Sequence, residues 1–339
     1  MGIAAAERDD APATEDRPRK IRTVRDTPDK IFRGVATGSG VTVLAIMLLV
    51  GIFLAVRASQ ALHKAGFSFL TTQAWEPDKG HGHFGVAAIV TGTVLIALVA
   101  IVVAVPLSIA TSLYITQYAP DAMKKVLISV IDLMAAIPSV VYGLWGFFFL
   151  QAKVAPVAMW IARHFGWIPI FRVDSMSPDD PLSSTTLFTG STLIAGIVVG
   201  MMITPVVTSI MREVFSQVPI GEREGAFALG ATKWGVIRSV VLPFGKGGMI
   251  GGIMLGLGRA LGETIAVYII ISPVFTIQPH ILQSGAISVS ALIALAFAEA
   301  SPFGLSALMA AGLTLFLITL VINFAASSVV ARSRSGASS

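Results

Sequence analysis

The sequence predicts an all-α, polytopic membrane protein with six transmembrane helices. Hydrophobic residues make up 55% of its 339 positions and charged residues only 13%, whereas ordinary soluble domains carry roughly 25% charged residues. The mean hydropathy is +0.81. About 20 apolar residues are needed to cross a bilayer as a helix, and six stretches are long enough: Ile31–Val56, Val86–Ala110, Val126–Leu150, Ser191–Ile210, Gly247–Ile271 and Leu305–Val330.

These spans define a transmembrane domain over residues 31–332 with a tail at each end. Residues 1–30 mix acids with bases and lack the apolar core of a signal peptide, so we expect a disordered cytoplasmic tail. Residues 333–339 are expected to form a second cytoplasmic tail. The stretch Ala286–Ala300 is apolar but too short for a seventh crossing. It is expected to form a re-entrant or interfacial helix.

The distribution of basic residues predicts the orientation of the spans. Of the 24 Lys and Arg residues, 17 lie in the N-terminal tail through Arg33, at 124–125, in the loop 212–246 and at the C-terminus. Six lie in the alternate connections, and Arg259 lies within a span. Because basic residues favour the cytoplasmic side, both termini and the loop 212–246 are predicted to be cytoplasmic.

The two predicted outward connections, Arg57–Gly85 and Lys153–Gly190, contain several aromatic residues. Trp75, Trp160 and Trp167 are examples. Such residues are typical of the aromatic belt at a membrane interface. They are equally compatible with a docking surface for an extracytoplasmic partner, and the sequence leaves both interpretations open.

The cytoplasmic loop is predicted to contain a short helix that lies across the membrane face. Acidic residues up to Glu224 complement the positive end of a helix dipole, and Gly230 is a suitable residue to end the helix. A second segment would run to Pro243, where the membrane is re-entered. Phe227 and Leu229 would be apolar anchors for a cleft on a soluble partner. The alternative is an ordinary amphipathic interfacial helix.

Arg259 falls near the middle of the predicted fifth span, where a charge is costly and usually faces a protein interior or an aqueous cavity. Glu263 lies one helical turn away, so the two side chains can form a neutralising ion pair. Alternatively, Arg259 offers its planar set of donors to an anion in transit. Repeated small residues around the pair, at Gly252, Gly256, Gly258 and Gly262, favour a tight helix seam over exposure to lipid.

Proline in the predicted third span is a second irregular feature. Pro138 would kink that span and free a backbone carbonyl group, which the neighbouring Ser139 could satisfy. Ser139 could alternatively line a pathway.

The cytoplasmic loop resembles the coupling loop of ABC importer permeases, whose pattern is Glu-Ala-Ala, three residues, Gly, nine residues, Ile, any residue, Leu-Pro. The chain departs from it at Gly225 and at Val240. The matching residues are Glu224, Ala226, Gly230, Leu242 and Pro243.

Three further runs are similar to the phosphate-specific ABC importer permeases, and to their C-type subunit in particular. They are Ala135–Gly146, Gly256–Thr264 and Ala298–Ala300.

The resemblance implies a type I importer of MetI-like architecture in a bacterial inner membrane. Its parts would be two homologous six-span permeases, two ATPase subunits and an extracytoplasmic phosphate-binding protein. The resemblance implies that Arg259 and Glu263 are needed for phosphate passage, and Ser139 and Thr264 are further candidate pathway residues. Coupling to the ATPases is assigned to Glu224, Gly225, Ala226, Gly230, Leu242 and Pro243.

The chain is predicted to bind no cofactor itself, because its Gly245-Lys246 pair lacks the rest of a Walker A motif. ATP and Mg would be bound by the partner ATPases.

Other function classes receive weaker support from the residues. A permease for another oxyanion, such as sulfate or molybdate, and an ion-coupled secondary transporter are the alternatives. A membrane-embedded enzyme would need convergent catalytic groups, and no catalytic residue is predicted. His81-Gly82-His83 is a weak metal-like pair, so no metal site is predicted.

Overall fold

The computed structural model describes residues 27–79, 83–174 and 184–335, and these are almost entirely helical. The described residues form no β-strand, only two isolated bridges, Trp75 with Phe84 and Ser191 with Ser284. The all-α prediction is therefore confirmed. The α-helices are α1 (Thr27–Ala65), α2 (Ala87–Leu113), α3 (Asp121–Ala136), α4 (Ser139–Trp145), α5 (Gln151–Phe165), α6 (Thr192–Ser216), α7 (Ile220–Ala228), α8 (Lys233–Val236), α9 (Leu242–Leu261), α10 (Ile265–Ile270), α11 (Val289–Ala296) and α12 (Pro302–Ser335).

Among the described residues, six helical runs are long and apolar enough to cross a membrane, as predicted. Three of them continue from one helix through a π-helical turn, at Tyr114–Tyr118, Gly146–Leu150 and Ile237–Val241. The six runs are Thr27–Leu70, Ala87–Tyr118, Ser139–Phe165, Thr192–Ser216, Lys233–Leu261 and Pro302–Ala325.

The prediction that the third span, Val126–Leu150, is a single kinked helix is wrong. The structure ends α3 at Ala136 and starts α4 at Ser139. Ile137 and Pro138 between them are extended, with ψ of 128° and 143°. Proline excludes the preceding residue from the helical conformation and is suited to a helix start. The membrane-length helix therefore runs from Ser139 to Phe165, beyond the predicted end.

The fifth predicted span, Gly247–Ile271, is also not one helix. The helical run starts earlier, at Lys233, and stops at Leu261. Residues Gly262, Glu263 and Thr264 interrupt it before α10, which ends at Ile270. We call these three residues the break.

The chain divides into two compact units, Met1–Val50 and Gly51–Ser339. Within the first unit the structure describes the N-terminal part of α1, an apolar helix whose side chains are exposed. The second unit holds the remainder of α1 and all other helices.

The core of the second unit is built around α6, which packs closely on α2 and α9 through glycines. A Cβ added at Gly196 would lie 2.5 Å from Val99 of α2, and one at Gly200 would lie 2.9 Å from a backbone oxygen of α2. A Cβ at Gly256 of α9 would lie 2.6 Å from a methyl group of Val207. Small residues thus let the helix axes approach, as is common in membrane proteins.

The stretch Ala286–Ala300 forms α11, which is too short to cross a membrane, as predicted. Its first half is buried, since Val289 and Leu292 pack against α2 and α12, whereas Leu295 near its end and Phe297 just after it are exposed. The Val289 N–H donates to Thr93 Oγ1 of α2 (2.9 Å). The segment before α11 passes so close to α2 that a Cβ at Gly92 would collide with the Ile287 carbonyl oxygen.

We expect Gly92→Ala to lower the apparent Tm of the detergent-purified protein by several degrees, because overpacking of about this size costs roughly 1–3 kcal/mol. Gly247→Ala is the matched control, since it also lies in a helix but has nothing within 4 Å of an added Cβ. Its Tm should be unchanged or higher, because alanine favours helices over glycine. Equal shifts in the two variants would contradict the close contact at Gly92.

Candidate functional site

The loop that follows α6 forms the short helix that the sequence predicted. α7 starts after Pro219 and ends in a left-handed residue, Gly230, with φ of +84°. The Gly230 N–H donates to Phe227 O (2.9 Å) and the Ala231 N–H to Ala226 O (3.1 Å). These two bonds form a Schellman motif, which satisfies carbonyl groups at a helix end. The predicted role of Gly230 in ending the helix is confirmed.

One face of α7 is anchored to the protein and the other is exposed. Ala226 and Ala231 pack on a buried cluster that includes Phe215 and Ile237. Phe227 lies on the exposed side, and Leu229 is 91% exposed. Exposed apolar residues on a short, anchored helix fit either a cleft on another protein or the membrane interface.

The residues of the resemblance lie on this helix and on the run that follows it. Glu224 is exposed in the middle of α7, and Gly225 beside it is also exposed. An added Cβ at Gly225 would meet nothing within 4 Å. The departure from alanine at this position therefore relieves no steric conflict within the chain.

Leu242 and Pro243 begin α9, with Pro243 in its first turn, as predicted, but no loop separates α9 from the preceding helical turn. They lie in the continuous run from Lys233 to Leu261, just after the π-helical turn Ile237–Val241. Proline lacks the N–H that the α-helical ladder needs, and a π-turn is one way a helix accommodates such a gap. The Thr232 side chain caps the start of this run by accepting from the Gly235 N–H (3.1 Å).

Arg259 lies close to the midpoint of the neighbouring helix α6. The antiparallel contacts of α9 with α6 pair Gly252 with Ile210 and Gly256 with Val207. Continuing this register places Arg259 level with Thr204, about 18 Å from either end of α6 at 1.5 Å per residue. Arg259 is therefore level with the middle of a membrane-length helix, although its own helix begins earlier than predicted.

The Arg259 side chain is exposed in the isolated chain. Within this chain the four small residues do not form a tight seam around Arg259. Gly252 and Gly256 face α6, whereas Gly258 lies near Asn323 of α12 and an added Cβ at Gly262 would meet no side chain within 4 Å. A guanidinium group at this depth is too costly to leave in lipid, so this face requires a protein or aqueous environment.

The predicted ion pair between Arg259 and Glu263 is not formed. The salt bridges among the described residues, which join charged atoms 4.0 Å or less apart, do not include this pair. Glu263 is buried and accepts a hydrogen bond from the Ala266 N–H (3.2 Å). Its own carbonyl oxygen accepts from Ser290 Oγ (2.7 Å). The helix break moves Glu263 off the face of α9, so the one-turn spacing no longer applies.

Of the other predicted pathway residues, Thr264 is the last residue of the break and Ser139 begins α4. Thr264 is partly buried, and its Oγ1 donates to Gly262 O (3.2 Å). Ser139 is the first residue of α4, which packs on α10 so closely that a Cβ at Gly143 would lie 2.9 Å from the Ala266 Cα. The structure therefore brings the starts of α4 and α10 to the same region.

Sequence reasoning missed two polar side chains on the helices that pack around α9 and α10. Tyr142 is buried in α4, and its hydroxyl donates to Met134 O (3.0 Å). The amide oxygen of Asn323 lies 3.9 Å from the position of a Cβ on Gly258. The signal for Asn323 was available in the sequence, because it is a lone amide in the apolar stretch Leu313–Phe324.

The histidine pair is only partly placed. His81 and Gly82 lie outside the described residues. Among the described residues, no group of three or more His, Asp or Glu side chains is arranged to hold a metal ion.

The membrane-length helices, the exposed arginine level with the middle of α6 and the exposed loop helix are typical of a polytopic membrane transport component. Residues 104–335 match the family described as the inner membrane component of binding-protein-dependent transport systems. The chain belongs to this family, and within it to the PstC group of phosphate transport system permease proteins.

The relatives on which the assignment rests span nearly the whole chain. The phosphate transport system permease protein PstC 2 of Mycobacterium tuberculosis is 39% identical over 89% of this chain and 91% of its own length. PstC of Mycobacterium leprae is 39% identical over 91% of this chain and 93% of its own, and PstC of Xylella fastidiosa strain 9a5c 36% over 89% and 90%. An inward-facing structure of the MetNI methionine ABC transporter aligns with a TM-score of 0.48 and 14% identity over 74% of this chain and 94% of that chain.

We expect Gly230→Val to fray the end of α7, because a β-branched residue is strained at positive φ. Hydrogen–deuterium exchange should show faster exchange of the amides of residues 227–231 in this variant. Gly225→Ala is the matched control, since it lies within α7 and has open space around it. Its amides should exchange at the original rate or more slowly. Unchanged exchange in Gly230→Val would disprove the Schellman motif.

Proposed function

We propose that this chain is a membrane permease subunit of an ATP-driven inorganic phosphate importer. It forms half of the translocation pathway and couples to ATPase subunits through α7. The relatives that are named phosphate transport permeases support phosphate as the cargo. The observation that carries the proposal is an exposed arginine level with the middle of α6, directly before a helix break.

The break marks the part of the translocation pathway that carries its polar groups. Non-helical backbone at membrane depth is tolerated where it is buried in protein or lines a water-filled cavity. Arg259 precedes the break by one turn and presents five fixed N–H donors, which match the oxygens of phosphate. Thr264 and Ser139 add hydroxyl groups nearby. We assign contact with the anion to Arg259.

Glu263 has a different role in this proposal. Its carboxylate accepts from the Ala266 N–H in the first turn of α10, where a negative charge complements the helix dipole. Its carbonyl group is bonded to Ser290, which lies in α11. Glu263 thereby fixes the start of α10 and the direction of the break, and it leaves the guanidinium of Arg259 free of a carboxylate that would compete with phosphate.

The end of the protein that carries α7 is assigned to the cytoplasm, together with both termini, since it carries most of the basic residues. Glu224 and the exposed apolar residues of α7 would insert into a cleft on an ATPase subunit, which binds the ATP and Mg. A second, homologous permease subunit would cover the Arg259 face, and an extracytoplasmic phosphate-binding protein would deliver the anion. The chain contributes transport groups and no catalytic residue of its own.

The proposal is tested by uptake of labelled phosphate into proteoliposomes that contain this chain with the second permease and the ATPase. The binding protein is supplied outside and each component is omitted in turn. We expect uptake that requires ATP and every component and that resists excess sulfate. Uptake driven by an ion gradient without the ATPase would establish a secondary transporter instead, and equal competition by sulfate would remove phosphate as the specific cargo.

We expect Arg259→Gln to lower uptake at least about tenfold, since it removes the charged donors from the pathway. Arg259→Lys should retain part of the activity through its charge alone. Lys246→Gln, a loss of charge near the start of the same helix, serves as the control and should transport normally. Size-exclusion chromatography should show an assembled complex in every case. A complex that fails to assemble only with Arg259→Gln would assign a structural role to this residue.

We expect Glu224→Lys to abolish ATP-dependent uptake while the apparent Tm stays within about 2 °C of the original, because an exposed substitution away from packed contacts changes stability little. Glu213→Lys is the control, because Glu213 is also exposed and lies at the same end of the fold, in α6. It should leave uptake intact. Normal uptake by Glu224→Lys would rule out the coupling role of α7.

A further inference from the structure

A cavity of about 540 Å³ lies between the second half of α1 and the first turns of α12. It lies entirely within the second compact unit. We call it the interhelical cavity. The residues that define its character are Phe53, Arg57, Gln60, Leu305, Ser306 and Met309.

The register of α1 on α12 gives the direction in which the interhelical cavity runs. The Ser306 hydroxyl donates to Arg57 O (2.7 Å). Farther along both helices, a Cβ on Gly51 would lie 3.2 Å from the Phe316 ring. Contacts made earlier in α1 are thus paired with contacts made later in α12, so the two helices are antiparallel. Residues of α1 before Arg57 lie at the same depth as residues of α12 after Ser306.

The interhelical cavity changes from apolar to polar along this direction. Phe53 and Met309 lie at its deep end, whereas Arg57 and Gln60 lie at its mouth. Arg57 directly follows the apolar stretch Ile31–Val56, and the end of such a stretch is where the hydrocarbon core gives way to lipid headgroups. The deep end is therefore suited to an acyl chain and the mouth to a headgroup.

The mouth of the interhelical cavity carries an unbalanced positive charge. Arg57 is exposed, and none of the salt bridges between described residues involves it. Its guanidinium lies over the Phe53 ring, 5.6 Å from the centroid. The described lining contains no carboxylate. Asp78 and Glu299, the acidic residues around the start of α12, line a different cavity, and residues 80–82 include no acidic residue. The mouth therefore attracts an anionic group.

We propose that the interhelical cavity binds an anionic phospholipid, with the lipid phosphate on Arg57 and an acyl chain along Phe53 and Met309. The planar guanidinium can donate two parallel hydrogen bonds to one phosphate group, and basic pockets between transmembrane helices bind anionic headgroups. Gln60 adds an amide donor at the mouth. The lipid bridges α1 and α12 in the leaflet that faces outward in the proposed orientation. The inference requires only that these helices span a membrane, so it is independent of phosphate as the cargo.

The test adds dioleoylphosphatidylglycerol to the detergent-purified complex that contains this full-length chain. Native mass spectrometry then measures how many lipids bind and how tightly. We expect one lipid to bind more tightly than the others, and Arg57→Gln to weaken its binding at least about fivefold, because each basic residue near anionic lipid contributes about that factor. Arg57→Lys should retain part of the affinity, since lysine keeps the charge but loses the planar donors. Dioleoylphosphatidylcholine, which has no net charge, should not replace the tight lipid.

Arg163→Gln is the matched control, since it removes the same charged group from an exposed position of α5 outside the cavity. It should leave the tight lipid in place. Met309→Trp tests the apolar end: the larger side chain fills the space for the acyl chain, so binding should weaken although Arg57 is intact. Because Arg57 is exposed, its replacement should leave the apparent Tm of the lipid-free complex within about 2 °C of the original.

Two outcomes would show that the tight lipid does not lie in the interhelical cavity. One is an affinity that Arg57→Gln leaves unchanged or that Arg163→Gln lowers equally. The other is an affinity that Met309→Trp leaves unchanged.

Two further outcomes would give the cavity a different occupant. Displacement of the lipid by millimolar inorganic phosphate would make its mouth a site for a free anion. Loss of another permease subunit from the Arg57→Gln complex in size-exclusion chromatography would assign this face to that subunit. Either result would overturn the lipid site.

Discussion

The fold depends on the close approach of α2 and α9 to the central helix α6. Lipid tails are as apolar as the side chains of these helices, so burial from water supplies little of the force that holds them together, and tight packing must do so. Glycines at the contacts, such as Gly196 and Gly256, allow that packing. The register of α9 on α6 then decides the depth of every later residue of α9, and it is this register that places Arg259 level with the middle of α6. A side chain on these glycines would therefore displace the charged group as well as the helix.

The break after α9 shows how a membrane protein keeps irregular backbone without leaving it unsatisfied. Glu263 meets the first turn of α10 with its carboxylate and receives Ser290 on its carbonyl oxygen. A buried carboxylate with a backbone donor is less costly than one without a partner. The arrangement also separates two charges that a continuous helix would have joined. Arg259 is thus available to bind another group, whereas an arginine paired with Glu263 would not be.

Much of the architecture could be predicted because it follows from composition. Six long apolar runs, and a loop helix closed by Gly230, were visible in the sequence. The interruptions were not, since hydropathy averages over a window and does not register three residues such as Gly262–Thr264 or the two extended residues at Pro138. The pairing of Arg259 with Glu263 was predicted from helical spacing and failed for the same reason. Asn323 was missed because a single amide barely alters the hydropathy of its stretch.

The π-helical turn at Ile237–Val241 sets how the loop region faces the rest of the protein. Val241 lies five positions after Val236, and in a regular α-helix their side chains would point about 140° apart at 3.6 residues per turn. The wider π-turn brings both onto the same buried side, in line with Gly245 farther along α9. The orientation of α7 relative to α9 therefore depends on the number of residues in this turn. An insertion or deletion of a single residue here would turn α7 around the axis of α9, although it would change no chemical group in either helix.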